Sequence, residues 1–294
     1  LRNTTSHPDL YNRMTPEDTI HKMTSLYDGY HFCEYAEGMF NPFSVLNVFD
    51  GYKFENYWFQ TGTPTFLVKM LMDSNYDLRT LIDGVEAVYE IQNAINAASF
   101  NEYRAESRNP IPLIYQSGYL TIKEYDPRFK TYQLAFPNDE VRYGFMNFLL
   151  PFYSNIPDNE QDFYIGKFVH ELESGNINAF LTRLQAFFAD IPYELNDQTE
   201  RHYQTVFYLI FKLMGQFTQA EVRSAKGRAD AVVKTPKYIY VFEFKLNGTA
   251  EQALQQIEDK GYLIPYQADE REVKKVGIEF STDTRNVSRW LPEE

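Results

Sequence analysis

Gly227-Arg228-Ala229-Asp230 and then Tyr238-Ile239-Tyr240-Val241-Phe242-Glu243-Phe244-Lys245 form the stretch on which the fold turns. Glu243 and Lys245 stand two residues apart, so a strand sends both to one face. Their neighbours Val241, Phe242, Phe244 and Leu246 are apolar. Two charges inside such a strand are costly unless they are paired or bind a metal. Residues 229–234 read as a partner strand, joined to 238–246 by a hairpin centred on Pro236-Lys237. That register sets Asp230 opposite Glu243, with Cα atoms roughly 4.5–5.5 Å apart and side chains on one face. Facing carboxylates repel unless a cation lies between them, and a hard divalent ion, Mg²⁺ or Mn²⁺, takes such oxygen ligands. Pro236 does not suit a two-residue primed turn, so a longer loop is expected. The plainer alternative is a solvated strand face, the usual meaning of Glu-x-Lys.

Outward from this stretch, residues 221–224 read as a further strand, 249–262 as a helix and 276–281 as a closing strand. A helix at 199–215 precedes them. Helix, three strands, helix, strand make a small mixed α/β domain. Helices at 162–174 and 177–189 come before it, and residues 151–157, bounded by Pro151 and Pro157, read as a linker. Further upstream, residues 1–72 read as short helices joined by turns, with helix starts at Asn41-Pro42-Phe43-Ser44 and near Thr63. Residues 75–110 are helical by pattern. The period then changes: 119–122 and 131–136 read as strands around a turn at 124–130. Helix followed by a two-stranded ribbon is the outline of a winged helix. Pro137-Asn138-Asp139-Glu140 caps a helix running toward Leu150.

The chain has 294 residues, 17% of them aromatic and 44% hydrophobic, which suits about two packed domains and excludes a disordered chain. The net charge of −13 is unevenly spread. Residues 221–290 hold 12 Lys+Arg against 11 Asp+Glu, whereas residues 1–220 hold 16 against 28. The acidity thus lies outside the stretch with the chemistry, and the chain is no general binder of polyanions. A single cysteine, Cys33, excludes an internal disulfide and fits a cytoplasmic protein. No apolar run is long enough to span a bilayer. His7, His21, His31, His170 and His202 show no metal-ligand spacing. The chain opens on Leu1 rather than Met, which reads as a fragment.

Several blocks resemble a family of bacterial AAA-ATPase-like proteins that end in a PD-(D/E)XK nuclease domain. Gly227-Arg228-Ala229-Asp230, Glu243-Phe244-Lys245, Ala253-Leu254-Gln255-Gln256-Ile257, Lys260-Gly261-Tyr262 and Val276-Gly277-Ile278-Glu279-Phe280-Ser281 look like its nuclease part. Tyr27-Asp28-Gly29-Tyr30, Asn41-Pro42-Phe43-Ser44 and Tyr57-Trp58-Phe59-Gln60-Thr61-Gly62-Thr63-Pro64 look like the end of its ATPase-like domain. Tyr115-Gln116-Ser117-Gly118-Tyr119-Leu120-Thr121-Ile122 looks like the segment that follows. The resemblance implies a lid remnant over residues 1–72, a helical, winged-helix-like module over 73–150 and a restriction-endonuclease-like domain over 151–294. The family's glycine-rich phosphate loop is absent, so the chain alone is expected not to bind ATP, and the missing ATPase part would precede Leu1.

The resemblance also implies roles. Asp230 and Glu243 would hold Mg²⁺ or Mn²⁺, helped by a backbone carbonyl near Phe244. Lys245 would orient water or stabilise charge during phosphodiester cleavage. Nucleic acid, DNA first, would be the partner. Glu200 shares a helical stripe with Tyr203, Phe207, Ile210 and Met214, and it is either a third metal ligand or a first-turn Glu behind the N-cap Asp197. Gln256 matches a position that reaches substrate or the catalytic Lys, or it is a surface Gln. The rival function is a catalytically silent regulatory protein that binds nucleic acid or protein. Oligomeric state is not legible.

Overall fold

The hairpin around Pro236 forms with the expected register. In the computed structural model, which describes residues 14–61, 65–73, 82, 94–96, 110–154, 156–157, 160–191, 200–222 and 229–293, strand Ala231–Lys234 pairs antiparallel with Tyr238–Leu246. Ala231 lies across from Phe242 and Lys234 across from Ile239. The expected longer loop is corrected. Thr235 N–H donates to the Tyr238 carbonyl (2.8 Å), and Tyr238 N–H donates to Thr235 Oγ1 (2.9 Å), so the chain reverses over Pro236 and Lys237 alone. The Thr235 hydroxyl takes the N–H that a primed turn gives to a carbonyl, and this makes room for Pro236.

The chain divides into two compact units, residues 1–145 and 146–294. In chain order the first contains α1 (Pro16–Tyr27), α2 (Pro42–Gly51), a 3₁₀ turn (Trp58–Thr61), α3 (Thr65–Asp73), β1 (Ala94–Asn96), α4 (Ile111–Gln116), β2 (Thr121–Asp126) and β3 (Thr131–Ala135). Helix α5 (Asp139–Tyr153) begins there and ends in the second unit. The second unit continues with α6 (Gln161–Glu173), α7 (Ile177–Ala189), α8 (Glu200–Met214), β4 (Gln219–Val222), β5 (Ala231–Lys234), β6 (Tyr238–Leu246), α9 (Ala250–Asp259), β7 (Glu272–Ser281) and β8 (Asn286–Glu293).

In the first unit, caps read from sequence set the helix starts. Asn41 Oδ1 accepts the Phe43 N–H (3.0 Å), with Pro42 in the first turn where a missing N–H costs nothing. Strands β1, β3 and β2 form an antiparallel sheet in that order. The strand expected from Tyr119 starts at Thr121. Gly118 (φ +80°) closes α4, and the Tyr119 N–H turns back to the Ile114 carbonyl (3.1 Å), so Tyr119 belongs to the helix cap. The turn expected at 124–130 begins only at Pro127, because β2 pairs as far as Asp126. Most of 75–110 lies outside the described residues, but 94–96 form a strand against β3 rather than helix. Fully buried Glu140, in the first turn of α5, accepts from Ser44 Oγ and from the Tyr57 and Trp58 N–H groups, at 2.7–3.0 Å. It ties α2 and the 3₁₀ turn to α5. Pro151 does not open a linker, since α5 runs through it to Tyr153.

The second unit is built on a five-stranded sheet of order β4-β5-β6-β7-β8. Its β6–β7 pair is parallel and the rest antiparallel. Alternation along β6 divides the layers. Phe242 packs on Phe180 of α7 and Phe211 of α8, and Phe244 meets Phe207 of α8. Val241 packs on the opposite face with Leu254 and Ile257 of α9. Edge strand β8 lies beyond the elements expected from sequence, and its Pro292 suits an edge. Among the described residues, no helix is long and apolar enough to cross a membrane.

Candidate metal and active site

Strand alternation sends Glu243 and Lys245 to the face shared with Val241, under α9. Asp230 stands one residue before β5, so the hairpin register sets it across from Glu243. The backbone of each strand binds the other's carboxylate: Phe244 N–H donates to Asp230 Oδ2 (2.9 Å), and Asp230 N–H reaches Glu243 Oε2 at 3.4 Å. Lys245 Nζ lies 3.8 Å from Glu243 Oε1.

Gln256 closes the group from α9. Its Nε2 donates to Glu243 Oε1, and its Oε1 accepts from Lys245 Nζ. The capping box at Thr249 and Gln252 fixes where α9 begins, and Ala250, Ala253, Leu254 and Ile257 bury its inner face. Gln256 flanks that stripe, which puts its amide over the strand charges instead of in open solvent.

Glu243 is 2% exposed, and its carboxyl is pushed up to about 7 by burial and then by the Asp230 charge. Asp230 is also raised by burial, against the Phe244 N–H and the Lys245 charge. Two like charges thus share a desolvated site with one ammonium. Asp230 Oδ2 and Glu243 Oε1 are committed to protein donors. Asp230 Oδ1, and Glu243 Oε2 apart from its long contact, keep lone pairs for another partner. This donor set fits a hard divalent cation, which accepts few protein oxygens and fills the rest of its shell with water. Among the described residues, no cluster of three or more His, Cys, Asp or Glu forms.

Four of the five residues singled out in the sequence, Asp230, Glu243, Lys245 and Gln256, come together. The Glu200 side chain lies outside the described residues; α8 itself packs on the Phe242–Phe244 face. Gly227 and Arg228 also lie outside them. One further residue lies close by: Tyr262, 9% exposed, which packs with Val241, Leu254 and Ile257 at the end of α9. The signal for it was the Lys260-Gly261 helix stop, which turns the next residue back onto the helix.

Comparison with known proteins bears on the domain that contains these residues. A family profile of the PD-(D/E)XK nuclease superfamily matches residues 198–290. The protein named "Uncharacterized protein in vnfD 5'region" of Azotobacter chroococcum mcd 1 is 33% identical over 279 residues, 91% of this chain and 51% of that protein. The chain therefore spans about half the length of the curated relative it matches. No solved structure matches significantly. Residues 198–290 are a PD-(D/E)XK nuclease superfamily domain.

Proposed function

We propose that the chain hydrolyses phosphodiester bonds in nucleic acid, with DNA as substrate, using Asp230 and Glu243 to hold Mg²⁺ or Mn²⁺ and Lys245 as the charge-stabilising group. One observation carries this reading: a buried and a half-buried carboxylate face each other, with a lysine two residues along the strand. Burial of like charges costs stability, and a binding role is what offsets it. Held by Asp230 and Glu243, such a cation would supply Lewis-acid stabilisation of charge on the scissile phosphate. Lys245 offers its ammonium, 27% exposed along the side chain, to the phosphate oxygen on which negative charge grows. Gln256 holds that ammonium through its carbonyl while its N–H steadies Glu243. The reading keeps residues 1–72 as the closing part of an ATPase-like domain, 73–150 as a winged-helix-like module and 151–294 as the nuclease domain. The greater length of the Azotobacter relative is consistent with additional domains.

The test is a cleavage assay on DNA and RNA with Mg²⁺ and with Mn²⁺, run beside Asp230→Asn. Metal-dependent cutting that the variant loses supports the reading. A second reading, a silent nucleic-acid-binding or regulatory protein, draws on the lack of a third acidic or histidine ligand among the described residues. Binding without cutting by the intact chain, in either metal, would favour it.

A further inference from the structure

Helices α6 and α7 are joined by Ser174-Gly175-Asn176 alone. Gly175 (φ +79°) turns the chain, the Asn176 N–H donates to the Glu171 carbonyl (2.8 Å), and Asn176 Oδ1 caps α7 by accepting the Ala179 N–H (3.1 Å). The turn lays α7 back along α6 and sets Arg183 against Glu171, a residue 8% exposed. Phe180 of α7 packs on Phe242, so the pair covers the sheet face opposite the one that carries Asp230 and Glu243.

A cavity of about 540 Å³ opens between these helices, a size that suits a small molecule. Ile156, Tyr164 and Phe187 give it an apolar wall, with the two rings edge to face at 6.2 Å. Its charged lining residues are Glu171, Arg183 and Asp190. Arg183 Nε and Nη2 both donate to Glu171 Oε1, at 2.8 and 2.6 Å. Glu171 Oε2 is buried and, among the described residues, meets no donor. A guanidinium fork usually serves both oxygens of a carboxylate, and a buried acceptor left unmet costs stability. Asp190, the C-cap of α7, adds a second negative charge where the helix dipole is already negative, and the last turn of α7 holds no basic residue to answer it. Two carboxylates and a helix C-terminus thus meet one guanidinium.

We propose that this cavity binds a small organic cation, an amidinium or guanidinium on an apolar body, which donates to Glu171 Oε2 and lays its body on Tyr164 and Phe187. Planar N–H donors suit a carboxylate, and an aromatic wall suits a delocalised cation. The proposal is independent of the nuclease reading: none of Asp230, Glu243, Lys245 and Gln256 lines the cavity.

Titration of the full chain with benzamidinium, followed by NMR, tests it, with benzoate as the charge-reversed control. Benzamidinium is expected to bind with Kd of about 1 mM or tighter, within reach of an efficient fragment of its size, and benzoate at least about tenfold more weakly. The bound ring should cross-relax with the Tyr164 and Phe187 side chains. Ala186, exposed on α7 and lining the cavity, gives a variant that fills it. Ala186→Phe is expected to abolish binding with Tm changed by less than about 2 °C. Glu171→Gln should weaken binding about tenfold or more, the worth of a hydrogen bond to a charged group. If that variant fails to fold, Ala186→Phe decides alone. No saturable binding by roughly 20 mM benzamidinium overturns the proposal. So do equal affinity for benzoate, full affinity in Ala186→Phe, and cross-relaxation with side chains elsewhere but not with Tyr164 and Phe187.

Discussion

Glu243 concentrates the conflict between folding and function in one carboxyl. Its pKa is raised from 4.5 to about 7, by burial first and by Asp230 second. A raised carboxyl binds its proton in the folded state over a window where the unfolded chain has released it. Metal-free stability therefore falls as pH rises from about 4.5 to 7, by at most roughly 1.4 kcal/mol per pH unit, and then levels off. Urea melts of the parent at pH 5 and pH 8 are expected to show this slope, and Glu243→Gln is expected to flatten it. Above pH 7 Glu243→Gln and Asp230→Asn should match or exceed the parent in apo stability while losing Mg²⁺-dependent cleavage, since each removes a like-charge pair. Lys245→Ala should also lose cleavage but bind metal nearly as well, and it should lower apo stability, because the buried Glu243 and half-buried Asp230 carboxylates lose their nearest cation. A variant set that shifts neither stability nor metal response would return Glu243 to an ordinary strand face. The proximity of Asp230, Glu243 and Lys245 was legible because it follows from a period of two and one hairpin register. Tyr262 was not: its place depends on a left-handed glycine that redirects the chain after a helix, and no periodicity reports that.

Elements place these residues through a few close approaches. Gly277 of β7 pairs with Glu243 across the parallel ladder, and α9 lies on it so closely that a Cβ there would meet the Ala250 carbonyl oxygen at 2.2 Å and Leu254 Cγ at 2.9 Å. Backbone cannot yield as a flexible side chain can, so Gly277→Ala must lift α9 from the sheet. It is expected to cost about 1–3 kcal/mol in urea denaturation, the usual range for overpacking. It should also cost more activity than its stability loss explains, because Gln256 rides on α9. A variant with parent-like cleavage would mean that α9 does not set the geometry of Gln256. The capping box gives a milder test: Thr249→Ala should cost about 1 kcal/mol and leave the sheet register intact. Helices α7 and α9 were legible from caps and apolar stripes. The sheet's far edge was not, because β8 (Asn-Val-Ser-Arg-Trp-Leu-Pro-Glu) lacks clean alternation and carries a proline, both consistent with an edge and neither pointing to one. The Pro236 turn misled for a local reason, since Thr235 supplies from its side chain the acceptor that loop rules assign to the backbone.

At the scale of the whole molecule, the nuclease reading makes charge decide how nucleic acid could be met. The chain carries −13, yet residues 221–290 balance 12 basic against 11 acidic groups, and Lys275, Lys274, Arg271 and Arg289 are each paired with a carboxylate. A protein that neutralises Z phosphates loses affinity with a log–log salt slope near −0.9Z on duplex DNA. With these described cations committed and the segment close to neutral, the nuclease reading implies a shallow slope, of magnitude below about 4. It also implies that a divalent ion provides much of the attraction, because the Asp230–Glu243 pair repels phosphate until a cation lies between them. Binding of the intact chain to a short duplex is therefore expected to tighten at least about tenfold on adding Ca²⁺, which accepts the same oxygen ligands. In Asp230→Asn the gain should shrink toward nothing. Fluorescence anisotropy across a salt series, with Ca²⁺ and with EDTA, reads both quantities. A steep slope that Ca²⁺ and Asp230→Asn leave unchanged would place the contact on a basic surface away from the two carboxylates. The pair would then have to be explained by something other than holding a cation against phosphate.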